Sequence, residues 1–202
     1  MSIEKWNSKL NEAINEVYEK YSNSNKSILT EGDLENLLFH YCTSKNLPIH
    51  SQITWFKDDK KSGFEVDLTI LNEENLYVEK FDELDKLFYN FEYPHKGYFY
   101  DGEIIGIEIK FIRNNINFKK NILCDLIKVN EKIIPHKKNN INNELYKISD
   151  LENVKFHIII GFKEFEKLTL AQKILKKYLN DNLELNQFVQ LTIFSPNKIF
   201  KV

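Results

Sequence analysis

Cysteine is nearly absent from this chain: Cys42 and Cys124 are the only two. With no C-x-x-C pair and no Cys/His zinc spacing, neither a disulfide framework nor a zinc module can organise the fold. Both thiols are expected to be buried or half-buried, in a reducing, cytoplasmic setting. Glycine is scarce as well, with 6 residues, and no G-x-x-x-x-G-K-[ST] loop occurs, which argues against a nucleotide-driven motor. No stretch approaches the roughly 18 uninterrupted apolar residues that a membrane span needs. The start, Met1-Ser2-Ile3-Glu4-Lys5-Trp6, has no basic head before an apolar run, so no signal peptide is expected. Nor is there an excess of basic charge: the net charge is −2. A nucleic-acid surface would have to come from local Lys/Arg clusters. No internal repeat is apparent.

What is present suits one soluble globular domain. The 202 residues are enough to bury a sizeable core, and 13% aromatic content argues against wholesale disorder. Trp6, Leu10, Ile14, Val17, Tyr18 and Tyr21 recur at helical spacing and predict an amphipathic helix over 3–22. A second helix begins near Thr30, where Thr30 and Asp33 resemble a capping box with Asp in place of Glu or Gln. Leu34, Leu37, Leu38 and Tyr41 form its stripe, and it should stop near Asn46 and Pro48.

The period then changes to two. Ile49, Ser51, Ile53 and Trp55 predict a strand, 58–63 a charged turn, and 64–71 a second strand in which Phe64, Val66, Leu68 and Ile70 alternate with Glu65, Asp67 and Thr69. Residues 76–100 read as an insertion rich in Tyr and Phe, with a short helix around Phe81–Phe88. A third strand covers 104–111, a helix 119–133, a polar loop 135–143, a buried strand 154–162, a helix 168–181 and a last strand 187–194. The order α-α-β-β-β-α-β-α-β implies an α/β domain with a mixed sheet and helices on both faces.

The chemistry concentrates on the third strand. Alternation sends Ile105, Ile107, Ile109 and Phe111 to one face and Gly106, Glu108 and Lys110 to the other. An acid and a base thus share one face of an otherwise apolar strand. Burying them costs several kcal/mol unless they are paired or bound to a metal. A surface ion pair would also use an E-x-K triplet, but Asp67 adds a second carboxylate. If 64–71 and 104–111 are neighbours, Asp67 and Glu108 converge and repel unless a cation lies between them. Hard oxygen donors suit Mg²⁺ or Mn²⁺. Lys110 would then orient or deprotonate the attacking water, or stabilise the developing charge.

With these residues in this order, the sequence resembles the PD-(D/E)XK nuclease superfamily, whose fold is the restriction-endonuclease-like mixed β-sheet flanked by helices. The residues that carry the likeness are Thr30-Glu31-Gly32-Asp33-Leu34-Glu35, Glu65-Val66-Asp67-Leu68-Thr69-Ile70 and Gly106-Ile107-Glu108-Ile109-Lys110-Phe111. The run Asp125-Leu126-Ile127-Lys128 looks like the orthogonal-motif region of that superfamily. Val66 stands where the family's nominal Pro would be. The likeness implies that Asp67, Glu108 and the Ile109 carbonyl bind Mg²⁺ and that Lys110 assists the attacking water. A helix Glu commonly completes such a site; Glu31 and Glu35 compete, and Glu31 is preferred because it shares a stripe with Leu34 and Leu38.

The expectation is therefore a Mg²⁺-dependent nuclease acting on nucleic acid, DNA first. The rival is an inactive protein of the same fold serving as a binding module, since fold does not fix function. The aromatic insertion could then be a partner surface or join two copies as a homodimer. Lys57, Lys60 and Lys61, then Arg113, Lys119 and Lys120, then Lys137 and Lys138 form basic groups that could meet backbone phosphates or simply be solvated. His40 and Cys42, two apart on a helix, point to different sides and make no nucleophilic pair.

Overall fold

The structure is a computed structural model that describes residues 2–55, 64–72, 74, 76, 77, 99, 100, 102–114, 116–139 and 154–201. Helix α1 (Ile3–Asn23) buries Ile3, Trp6, Leu10, Ala13, Ile14, Val17 and Tyr21, the face that its three- and four-residue spacing dictates. Helix α2 (Glu31–Ser44) starts on the expected box. The Asp33 N–H donates to Thr30 Oγ1 at 3.1 Å, and Asp33 Oδ2 accepts from the Thr30 N–H at 2.9 Å. Its buried residues are Leu34, Leu38 and Cys42, with Leu37 and Tyr41 half-buried beside them. Asn46, in the left-handed region at φ 55, follows the helix.

Strands β1 (Ile49–Trp55) and β2 (Phe64–Leu71) pair antiparallel. The charged turn at 58–63 lies outside the described residues. At the two ends of the anticipated insertion, β3 (Leu76–Tyr77) and β4 (Phe99–Tyr100) pair as a small separate sheet. The helix expected around Phe81–Phe88 lies outside the described residues, as does most of the aromatic surface. Strand β5 (Ile104–Ile112) pairs antiparallel with β2 and parallel with β6 (Val154–Phe162). β6 pairs parallel with β7 (Val189–Ser195), and β7 antiparallel with β8 (Lys198–Lys201). The result is an α/β arrangement with a six-stranded mixed sheet in the order β1-β2-β5-β6-β7-β8.

Helices cover both faces. Ile105, Ile107, Ile109 and Phe111 pack under α1 and α2, together with Leu68, Ile70, Ile159 and Phe194. Phe156, Ile158, Ile160 and Phe162 face the other way, toward Leu126 of α3 (Phe118–Asn139) and Leu168 and Leu175 of α4 (Phe165–Asp181). Each fully buried aliphatic or aromatic side chain of this kind contributes roughly 1.5–3 kcal/mol. On the α1 side, the Tyr21 ring meets Phe111 and Phe194 edge-on, each with centroids 6.0 Å apart. Gly161 makes room for this: a Cβ there would stand 2.7 Å from the Phe111 ring.

Three sequence expectations are corrected. Helix α3 continues through Pro135 to Asn139, where the sequence predicts the start of a loop, and the rest of that loop, 140–143, lies outside the described residues. A proline removes one donor and crowds one carbonyl of the preceding turn, and helix already nucleated on both sides tolerates that. Helix α4 starts three residues earlier than 168, at Phe165. Strand β8 was not anticipated: four residues with exposed lysines at both ends carry little hydrophobic signal, although the Pro196-Asn197 pair before it is a turn marker. No helix among the described residues is long and apolar enough to cross a membrane.

Candidate functional site

Strands β2 and β5 are hydrogen-bonded through Leu71↔Ile104, Ile70↔Ile105, Thr69↔Gly106 and Leu68↔Ile107. The next pair in that register would be Asp67 with Glu108, and there the ladder stops. The β1–β2 register also passes from Ser51↔Leu68 to Ile53↔Val66 without a Gln52–Asp67 pair. Gln52 sits at φ 54, a left-handed conformation that costs a non-glycine residue about 1–3 kcal/mol. The irregularity shows in the packing: Leu68 and Ile70 join the α1–α2 core, whereas Val66 joins the α3–α4 core. The expected single apolar row of β2 therefore changes face across Asp67.

Where β2 leaves, β5 has backbone N–H groups without ladder partners, and buried N–H groups must be satisfied. Carboxylates fill the gap. Asp67 Oδ2 accepts from the Ile109 N–H at 2.7 Å, and Glu31 Oε2 from the Phe111 N–H at 3.2 Å. Glu31 stands in the first turn of α2, so the start of that helix reaches the slot between the parting strands. The other Glu31 oxygen, Oε1, accepts from Lys110 Nζ at 3.2 Å.

On the α3 side, Glu108 is 3% exposed and its Oε1 accepts from Lys128 Nζ at 2.7 Å. Asp125, one helical turn before Lys128, is also buried and accepts from the Cys124 thiol at 3.3 Å. Four acids are pushed above their ordinary range. Burial raises Glu108 to about 8 against the pull of Lys128, with Asp125 and Asp67 adding repulsion. Burial likewise raises Asp67, partly offset by the Ile109 N–H and Lys110. Asp125 is raised by burial against the opposing effect of Lys110. Glu35 is raised by burial and then by Asp67 and Glu31. Burial would lower the Lys110 pKa, but Asp125 and Glu31 outweigh it and hold the ammonium charged. Glu31, Glu35, Asp67, Glu108 and Asp125 thus gather with Lys110 and Lys128 around one strand end, where an added cation would favour the ionised form of the raised acids.

The structure brings Glu31, Asp67, Glu108 and Lys110 to this one region. Glu31, not Glu35, makes the direct contacts with β5. The sequence marks Asp125 and Lys128 only as the two ends of a run on the helix, without roles of their own. Their i, i+3 spacing on the helix after the site strand was the available signal. Arg113, Lys119 and Lys120 are exposed just beyond β5 and at the start of α3, while Lys57, Lys60 and Lys61 lie outside the described residues. Cys42 is buried and its thiol pushed up to about 12, so it is inert.

Among the described residues, no group of three or more His, Cys, Asp or Glu side chains is arranged to close on a metal. A Mg²⁺ site needs no such cage: one or two carboxylates, water and substrate phosphate suffice. Among the described residues, Asp67 and Glu108 each commit one oxygen to the bonds above, leaving Oδ1 and Oε2 as hard donors. The oxygen donor set fits that ion. Comparison with protein-family models, with curated proteins and with solved structures found no match to this chain.

Proposed function

We propose that this chain is a Mg²⁺-dependent nuclease of the restriction-endonuclease-like type, hydrolysing phosphodiester bonds of DNA. The observation that carries the reading is the crowding of buried acids at the point where β2 parts from β5, with a charged lysine two residues along the same strand. Asp67 and Glu108, with the Ile109 carbonyl, would hold Mg²⁺ (or Mn²⁺). When bound, the ion supplies Lewis acidity toward a phosphoryl oxygen and acidifies water. Glu31 and Asp125 favour the protonated form of Lys110. Its part is to orient the attacking water and to stabilise the charge that grows on phosphate. Glu31 fixes the lysine and, through the Phe111 N–H, the end of β5. Arg113, Lys119 and Lys120 would meet backbone phosphates beside the site, a salt-sensitive contact.

The test is cleavage of linear and supercoiled DNA with Mg²⁺ by wild type and Lys110→Ala. The variant should stay folded by circular dichroism and lose at least about a hundredfold in rate, the size of one electrostatic donor. Wild-type cleavage by Lys110→Ala sinks the assignment. A second reading, a binding module without activity, is favoured by the structural use of the same acids: Asp67 replaces a ladder bond and Glu108 is already ion-paired. Calorimetry with Mg²⁺ separates the two. Absence of binding that depends on Asp67 and Glu108 supports the module.

A further inference from the structure

Lys128 stands apart from the residues that the nuclease reading uses. Its ammonium reaches from the middle of α3 to Glu108 Oε1 at 2.7 Å, its side chain 36% exposed against 4% for the carboxylate. Glu108 is thus closed off from water except toward the groups that neutralise it. Once ionised, a buried carboxylate in this position needs a counter-charge whether or not a metal is present. Metal and lysine would draw on the same carboxylate, and two cations crowded on one acid repel.

We propose that Lys128 is the built-in occupant of the cation site: it holds Glu108 while no divalent ion is bound, and it must release that carboxylate for a divalent ion to bind. This rests on the reading of Asp67 and Glu108 as metal ligands. The lysine keeps the acid cluster foldable, and the cost is weaker metal affinity. Its half-exposed, flexible stem gives it somewhere to go, because rotation of a four-carbon chain carries the ammonium outward without moving α3. Once it leaves Glu108, the charge lies beside the same strand end, where it would meet a substrate phosphate. Metal loading and substrate binding then reinforce one another.

Mn²⁺ uptake by the full chain, read from the electron paramagnetic resonance signal of free Mn²⁺, tests this without reference to cleavage. Lys128→Met should bind Mn²⁺ with a Kd about tenfold lower than wild type, the worth of one charge-assisted hydrogen bond removed. Lys128→Gln keeps a neutral donor for Glu108, protects the fold if the methionine variant fails to form, and should fall between the two. Adding Glu108→Gln to either variant should abolish the gain. If wild type binds Mn²⁺ and neither Lys128 variant binds it more tightly, the inference is overturned and the metal site stands. If no protein in the series binds Mn²⁺, the metal reading falls and this inference with it.

Discussion

The Asp67 carboxylate accepts the Ile109 N–H at 2.7 Å, and an asparagine could do the same through its amide oxygen. The structural and the chemical parts of this residue are therefore separable. Asp67→Asn is expected to stay within about 1 kcal/mol of wild type in urea unfolding, whereas Asp67→Ala, which strips the Ile109 N–H of its acceptor, should cost about 1–3 kcal/mol. Equal stability of the two variants would show that the bond contributes nothing. His157 is a residue of another kind. It is 1% exposed, its Nε2 is paired with Asn7 Oδ1 and its Nδ1 has no partner. Burial, aided by Lys201, lowers its pKa from 6.5 to about 3. The unfolded chain therefore binds the proton that the fold refuses. The neutral ring's stability is complete above about pH 6.5 and is lost as pH falls toward 3. Wild type should lose unfolding free energy relative to His157→Gln across that window, and a pH-independent difference between the two would contradict the assignment.

At the scale of elements, the end of β5 is set by packing on one face and by acids on the other. Gly161 on β6 leaves the space that the Phe111 ring fills, and a methyl there would stand 2.7 Å from it. Gly161→Ala should lower stability by about 1–3 kcal/mol through overpacking, measured by thermal or urea unfolding. An unchanged midpoint would mean that Phe111 moves aside without cost. The same strand shows how far the sequence could be read. Its alternation of Ile105, Ile107, Ile109 and Phe111 with Gly106, Glu108 and Lys110 is a local pattern, so the strand, its apolar face and its acid were legible. The capping box at Thr30 was legible for the same reason. The break in the β2–β5 ladder at Asp67, the left-handed Gln52 and the Lys128–Glu108 pair were not. They arise from contacts between segments far apart in sequence, where propensity carries no information. The change of face between Val66 and Leu68 even reverses what strict period-two reading predicts.

For the molecule as a whole, a six-stranded mixed sheet with helices on both faces presents, among the described residues, a region where β2 and β5 stop pairing, and the buried acids gather there. The clustering of acids in that region contrasts with a net charge of only −2 for the chain. Local concentration, not overall charge, is what would draw a divalent ion. Exposed Arg113, Lys119 and Lys120 lie just past the same strand. If they contact phosphates, affinity for DNA should fall steeply with salt, with a log–log slope near −0.9 per contact on duplex. A slope near zero in a filter-binding series would remove them from the interface. The most direct test of the nuclease reading is the rate of DNA hydrolysis as a function of Mg²⁺ concentration, for wild type and for Asp67→Asn. Saturable, chelator-sensitive cleavage by wild type and its loss in the Asp67→Asn variant, which remains folded, are the expected results. Wild type that cleaves neither duplex nor single strand at any Mg²⁺ or Mn²⁺ concentration, or Asp67→Asn that cleaves as wild type does, would contradict it.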